Sequence, residues 1–249
     1  MLLVVDARNG KKKPLTSAPA NQGIYGNFGV MVSPDGKWVL SPGGMSGWNA
    51  TSLDGEQFVQ RSRASQSLSD LDVAWLPDSS GWVESSKYGL NGRNGESTLI
   101  VYKLNAAKTR VISVPQADAI NDFQVTQRGE AVFSCAEPVS VRFLTVPLST
   151  PTLVKEQNIT PPFKVGNGRN IMSTLVSPRG DRIAWTFQTM EGNKVTESVW
   201  LSDIDGKNFK RLTPELDKSN LAPVYLHWRP DSQSLSCWRQ NKLYVLNIP

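Results

Sequence analysis

Five times along the chain an apolar stretch runs into the same tight turn. The copies are Met31-Val-Ser-Pro-Asp-Gly36, Ala74-Trp-Leu-Pro-Asp-Ser79, Gln124-Val-Thr-Gln-Arg-Gly129, Leu175-Val-Ser-Pro-Arg-Gly180 and His227-Trp-Arg-Pro-Asp-Ser232. The proline slot falls at positions 34, 77, 127, 178 and 230, so the steps are 43, 50, 51 and 52 residues. Self-similarity at such a period marks a repeat architecture and constrains the fold more than any bulk property. Proline fixes φ at the second turn position, Asp suits the third, and Gly tolerates the fourth. A β-rich run follows, as in Lys37-Trp-Val-Leu40, Gly81-Trp-Val83, Ala131-Val-Phe133 and Arg182-Ile-Ala-Trp185. Each marker is therefore a hairpin joining a strand a to a strand b.

A second hairpin recurs downstream. Ser52-Leu-Asp-Gly55 leads to Phe58-Val59, and Leu201-Ser-Asp-Ile-Asp-Gly206 leads to Phe209-Lys-Arg-Leu-Thr213. Thr98 to Leu104 precedes Thr109 to Ser113, and Arg142 to Val146 precedes Thr152 to Lys155. These are strands c and d. Four antiparallel strands per repeat describe a propeller blade, whereas no segment shows the sustained 3.6-residue period of a helical solenoid. The expected fold is an all-β β-propeller of four-stranded antiparallel blades. It fills one domain, 1–249, with repeats at 1–16 (a c–d hairpin), 27–62, 70–114, 120–156, 171–213 and 223–249.

The ends leave two closures open. Met1 to Thr16 reads as a c–d hairpin, and Tyr225 to Pro249 as strands a, b and c without d. The N-terminal hairpin can supply the missing d strand and close five blades, which removes free edges. Alternatively, its redundant c strand points to a six-bladed parent lacking part of its first blade and, with it, an export signal.

Apolar residues make up 39% of the chain, enough for a core. The net charge of +5 has one tight run, Lys11-Lys12-Lys13, which falls in a hairpin turn and reads as solvated. No nucleic-acid partner is expected, because such binders cluster their basic excess on one face. No stretch approaches the roughly 20 apolar residues that span a bilayer. Leu2 to Val5 is too short for a signal-peptide core. Cys135 and Cys237 occupy near-equivalent b-strand positions two repeats apart, so both are expected to be buried and unpaired.

Catalytic chemistry has little to work with. The one histidine, His227, sits in an innermost strand at the position of Met31, Ala74, Gln124 and Leu175, where a buried core histidine is expected. No Gly-x-Ser-x-Gly elbow exists, and no Cys/His spacing suits a metal. Gly89-Leu-Asn-Gly-Arg-Asn-Gly95 has no helix after it and reads as a b–c loop. Asp70, Asp72 and Asp122 enter or border innermost strands and can face the central channel. They read as solvated loop acids, with a hard cation between them the lesser alternative, since no dedicated calcium loop is present. The chain is expected to be no enzyme and to need neither cofactor nor metal.

The Ser-Pro-Asp-Gly turn after an apolar strand, with Ser202-Asp-Ile-Asp-Gly206 and Lys210-Arg-Leu-Thr213, resembles the TolB-like propeller repeats. Similar repeats form the propeller of the dipeptidyl peptidase and prolyl oligopeptidase families. The resemblance covers essentially the whole chain and is degenerate in the third repeat, where Gln127 replaces proline. It implies a periplasmic or secreted protein-binding propeller; a complete chain without a leader would instead be cytoplasmic. The motifs build turns and carry no chemistry of their own.

In a blade the a–b and c–d turns share one face, and the b–c and d–a connections share the other. The longer segments, Arg63 to Ser69, Ser86 to Ser97, Glu156 to Ile171 and Thr186 to Glu197, all belong to the second set. Binding residues concentrate on long loops over rigid scaffolds. The expected contacts are Tyr88, Arg93, Lys164, Arg169 and Met190, presented by a monomer to a protein or peptide. The alternative is the substrate-gating propeller of a serine peptidase separated from its catalytic domain.

Overall fold

The repeated a–b turn closes in the same way five times. The structure, a computed structural model, describes residues 2–5, 11–15, 30–42, 47–61, 71–86, 96–106, 110–115, 120–136, 139–152, 154–162, 169–213, 216–217, 225–239 and 242–248. Gly36 donates its amide to the Ser33 carbonyl at 2.9 Å, and Ser79, Gly129, Gly180 and Ser232 donate likewise to Leu76, Thr126, Ser177 and Arg229. The closing residue is left-handed each time: φ is 70° at Gly36, 71° at Gly129 and Gly180, 58° at Ser79 and 60° at Ser232. A type I turn followed by a left-handed residue is a common hairpin connection. The third turn is one residue shorter, because Thr126 bonds the Glu130 carbonyl whereas Ser33 reaches over to Trp38.

Aspartates stiffen these turns. Asp35 Oδ1 accepts from the Ser33 hydroxyl at 2.6 Å and the Lys37 amide at 3.0 Å. Asp78 Oδ1 does the same for the hydroxyl and amide of Ser80. The hydroxyl bonds from Ser33 and Ser80 hold these two carboxyls below their ordinary value.

The strands are β1 Leu2–Val5, β2 Lys12–Leu15, β3 Met31–Val32, β4 Trp38–Pro42, β5 Trp48–Ser52, β6 Phe58–Arg61, β7 Leu71–Trp75, β8 Gly81–Ser86, β9 Glu96–Lys103, β10 Arg110–Pro115 and β11 Ile120–Val125. They continue as β12 Glu130–Ala136, β13 Val141–Pro147, β14 Lys155–Ile159, β15 Arg169–Val176, β16 Arg182–Glu191, β17 Lys194–Asp203, β18 Lys210–Arg211, β19 Leu216–Asp217, β20 Tyr225–Trp228, β21 Ser234–Arg239 and β22 Lys242–Asn247. The pairings β1–β2, β3 through β6, β7 through β9, β11 through β14, β15 through β18, β17–β19 and β20 through β22 are antiparallel.

The chain is an all-β propeller of five blades. One compact unit, residues 1–94 and 98–113, holds the β1–β2 hairpin, blade 1 (β3-β4-β5-β6) and blade 2 (β7-β8-β9-β10). The other, residues 95–97 and 114–249, holds blade 3 (β11-β12-β13-β14), blade 4 (β15-β16-β17-β18, with β19 also on β17) and blade 5 (β20-β21-β22). In all five blades the c–d end is tied to the a–b turn: Leu53, Leu104, Leu148, Ile204 and Ile248 donate to the carbonyls of Lys37, Ser80, Gly129, Asp181 and Gln233.

Three boundaries differ from those expected of the sequence. Strand d of blade 3 runs Lys155–Ile159, not Thr152 to Lys155. In blade 4 the d strand is split into β18 and β19, both paired with β17. The segment Thr186 to Glu197 is no loop: β16 and β17 stay in register up to Glu191↔Lys194. Its β-branched and aromatic residues prefer a strand, and the Gly192 turn needs no more room.

The apolar cores lie between neighbouring blades. Leu40, Trp48 and Ala50 of blade 1 meet Trp75, Trp82, Ile100 and Tyr102 of blade 2. Val132, Phe143 and Ile159 of blade 3 meet Val176, Ile183 and Trp185 of blade 4. Ala184 and Val199 of blade 4 meet Leu226, Leu235 and Cys237 of blade 5. Gly206 packs so tightly on blade 3 that a Cβ would stand 2.5 Å from Ile159 Cγ2, and its φ of +78° excludes other side chains as well.

Two of these junctions share one polar lock. Trp75 donates its indole N–H to the Met31 carbonyl of blade 1 at 3.1 Å, and Ser79 Oγ accepts from the Asp35 amide at 3.0 Å. At the blade 4–5 junction Trp228 donates to the Leu175 carbonyl at 2.8 Å, and Ser232 Oγ accepts from the Arg179 amide at 3.1 Å. Trp75→Phe and Trp228→Phe, which keep an aromatic ring but lose the donor, are each expected to destabilise the fold by about 1 kcal/mol or more. Urea unfolding of the single variants measures this; unchanged midpoints would remove the locks from the energetics.

Candidate functional site: turn-side clefts of blade 4

The turn of blade 4 stands between two hollows. One, of about 410 Å³, opens between blades 4 and 5 and is lined by Arg179, Asp181 and Arg182 on one side and Arg229, Asp231 and Gln233 on the other. The second, of about 580 Å³, opens between blades 3 and 4, with Val132, Val176 and Ile204 on its apolar wall and Arg128, Lys155 and Glu156 at its polar edge. Both lie on the face of the a–b and c–d turns. Wedge-shaped blades that meet along buried b and c strands leave such gaps where the turns splay outward.

Backbone bonds fix the walls. The Gln127 amide donates to the Pro178 carbonyl at 2.6 Å, joining the turns of blades 3 and 4. The Gln127 side-chain amide donates to the Pro230 carbonyl of blade 5 at 2.9 Å. With the Arg179–Ser232 bond, three successive a–b turns form one connected rim. Proline could supply neither of the Gln127 donors, so the degenerate third repeat has a structural use.

Of the acids expected at the channel, Asp122 is placed by its hydrogen bonds. Asp122 Oδ2 accepts from the Thr174 amide at 2.8 Å and lies 3.5 Å from the hydroxyls of Thr174 and Ser134. It is half-buried and ties the innermost strands of blades 3 and 4, so it is no solvated loop acid. Asp72 lies in β7 opposite Ser85, and Asp70 lies outside the described residues. Among the described residues no group of three or more His, Cys, Asp or Glu is placed to hold a metal, and no helix is long and apolar enough to cross a membrane.

Of the expected long-loop contacts, Tyr88, Arg93 and Lys164 lie outside the described residues. Arg169 opens β15 opposite Thr189, and Met190 follows on β16, so these two share the far end of blade 4. Met190 is 47% exposed. His227 is exposed, against the expectation of a core histidine. Trp228 packs into the blade 4–5 core, and successive strand residues point to opposite faces, so His227 is turned outward. Cys135 and Cys237 are buried and form no disulfide, as expected. Their blades do meet, through Gln127 and Pro230, but at the turns and not at the b strands.

Sequence reasoning misses Arg179, Arg182 and Arg229, because it treats turn positions as set by backbone geometry alone. A signal is present: Arg179 stands where three of the other repeats carry Asp35, Asp78 and Asp231.

No protein-family model matches the sequence, and no curated protein matches it. The fold is similar to solved structures. An oligogalacturonate lyase from Vibrio parahaemolyticus matches at TM-score 0.59 and 11% identity over 98% of this chain and 68% of that one. An oligogalacturonate lyase in complex with manganese matches at 0.60 and 12% over 98% and 67%. A chain of a mitotic checkpoint complex matches at 0.60 and 12% over 99% and 81%. At such identities the likeness shows the propeller fold alone. It nonetheless overturns the expectation that the chain is no enzyme, because enzymes stand among the structures that share this fold. That expectation rested on the lack of a nucleophile elbow and on reading the one histidine, His227, as a core residue.

Asp122→Ala is expected to cost about 2 kcal/mol, the scale of a hydrogen bond to a charged group whose buried donor is left open. Denaturant unfolding tests it; a cost near zero would return Asp122 to the solvated acids.

Proposed function

We propose that the chain is a binding propeller that holds an extended segment of a protein or peptide across the turn of blade 4. The observation that carries this reading is the pair of clefts flanking one turn, Ser177 to Asp181, one edged by arginines and the other walled by valine and isoleucine. A segment lying over that turn can place a polar side chain on one side and an apolar one on the other. Sites of this kind combine apolar walls with a few placed polar groups. The rim is rigid, held by the Gln127 and Ser232 bonds, so little ordering cost falls on the protein.

Recognition then falls on the turn face rather than on the long-loop face that the sequence suggested. A fixed cleft of this size can hold such a segment in an enzyme as well as in a scaffold.

Selection from a random-peptide display library tests it. Enriched peptides are expected to bind wild type and to lose at least about tenfold in affinity on Gln157→Trp, which fills the blade 3–4 cleft from an exposed position. Met190→Ala at the far end of blade 4 is expected to change nothing. No enrichment, or loss only with Met190→Ala, would refute the turn-face site.

A further inference from the structure

The cleft between blades 4 and 5 is lined by three arginines and two aspartates. Arg179 sits at the tip of the blade 4 turn, Arg182 begins β16, and Arg229 precedes the blade 5 turn, so three guanidiniums line one hollow from three separate positions. Two carboxylates line it as well, but each commits an oxygen to its own turn. Asp181 Oδ1 accepts from the Ser177 hydroxyl at 2.6 Å, and Asp231 Oδ1 accepts from the Gln233 amide at 2.9 Å. Among the described residues no ion pair joins Arg179 or Arg229 to either acid, and both arginines are exposed.

The turn of blade 4 closes without a carboxylate at its tip. In blade 1 the serine before proline bonds Asp35, one place after the proline. In blade 4 the equivalent serine, Ser177, bonds Asp181, two places further on. Moving the acceptor keeps the turn closed and leaves the tip position to Arg179. The backbone under two of the three arginines is then fixed: the Arg179 amide is held by Ser232, and the Pro230 carbonyl next to Arg229 by Gln127.

We propose that this cleft is a carboxylate-recognition subsite, and that the segment bound across blade 4 carries glutamate or aspartate there; the proposal rests on the binding reading above. Planar guanidinium forks match carboxylates bidentately, and such charge-assisted bonds are the strong ones. The side chains of the cleft carry a net charge of +1, three arginines against two aspartates. An acidic peptide fits better than another polyanion because the cleft across the turn has an apolar wall of Val132, Val176 and Ile204. A peptide offers acidic and aliphatic side chains together, whereas a uronate chain carries no aliphatic side group and a nucleic acid offers flat bases that call for a stacking aromatic, which neither cleft's lining contains.

The test uses the fluorescein-labelled peptide Gly-Glu-Glu-Gly-Leu-Leu-Gly and its Gln-Gln counterpart, with binding read by fluorescence anisotropy on the full chain. The Glu peptide is expected to bind about tenfold tighter than the Gln peptide, with the difference shrinking as salt is raised. Arg179→Gln with Arg229→Gln is expected to abolish that preference while leaving Gln-peptide affinity and the melting temperature unchanged. Equal binding of the two peptides, or a preference that survives in the double variant, would overturn the subsite and leave the binding reading standing. Binding of neither peptide would count against both. A galacturonate oligomer or single-stranded DNA that displaces the Glu peptide at lower concentration than unlabelled peptide would overturn the assignment to an acidic peptide.

Discussion

Blades of a propeller meet along apolar strands, but what sets their register here is a hydrogen bond from turn to turn. A serine closes the a–b turn in blades 2 and 5, at φ values of 58° and 60° that glycine would adopt without strain. Its hydroxyl accepts the turn amide of the preceding blade, Asp35 in one case and Arg179 in the other. In both, a tryptophan on the same blade's strand a reaches back to the preceding strand a. The blades that receive these bonds close their turns with Gly36 and Gly180. Residues that look like noise in the repeat thus sort into two kinds of blade, one that docks and one that is docked upon.

The blade 3–4 junction uses other groups for the same purpose. Gln127, Gln124 and Asp122 all reach blade 4, at Pro178, Thr174 and Thr174 respectively. Behind them Phe143 meets Trp185 edge-on at 6.0 Å, within a core buried on both sides. The apolar core supplies most of the stabilisation, as in any domain, and it is non-directional. Only the polar bonds fix which turn faces which, and hence the shape of the gaps between turns. The clefts beside blade 4 are a consequence of that fixing.

Much of the fold is legible in the sequence because turn chemistry is local. One or more of Pro, Asp and Gly at set offsets marks each a–b hairpin, and the structure places each turn where the repeat puts it. Blade boundaries further out are less legible: Lys155–Ile159 and the split d strand of blade 4 have weak patterning, since an outer strand with one exposed side tolerates many residues. The extended β16–β17 hairpin reads as a loop because polar residues such as Gln188 and Thr189 obscure its alternation. The site is the least legible part. Arg179 and Arg229 lie 50 residues apart, and only the packing of two blades brings them to one cleft. His227 misleads in the opposite direction, because a position inside a strand does not say which face has a neighbour.

Everything beside blade 4 stands on the turn-to-turn locks, and amide hydrogen exchange reads them directly. The Asp35 and Arg179 amides sit in turns, where protection is normally slight. If Ser79 and Ser232 hold them, both amides should exchange as slowly as those of the adjoining b strands, Val39 and Ile183, under native conditions. Exchange at the rate of open turn amides would show that the blades are set by apolar packing alone and would remove the basis for a rigid cleft.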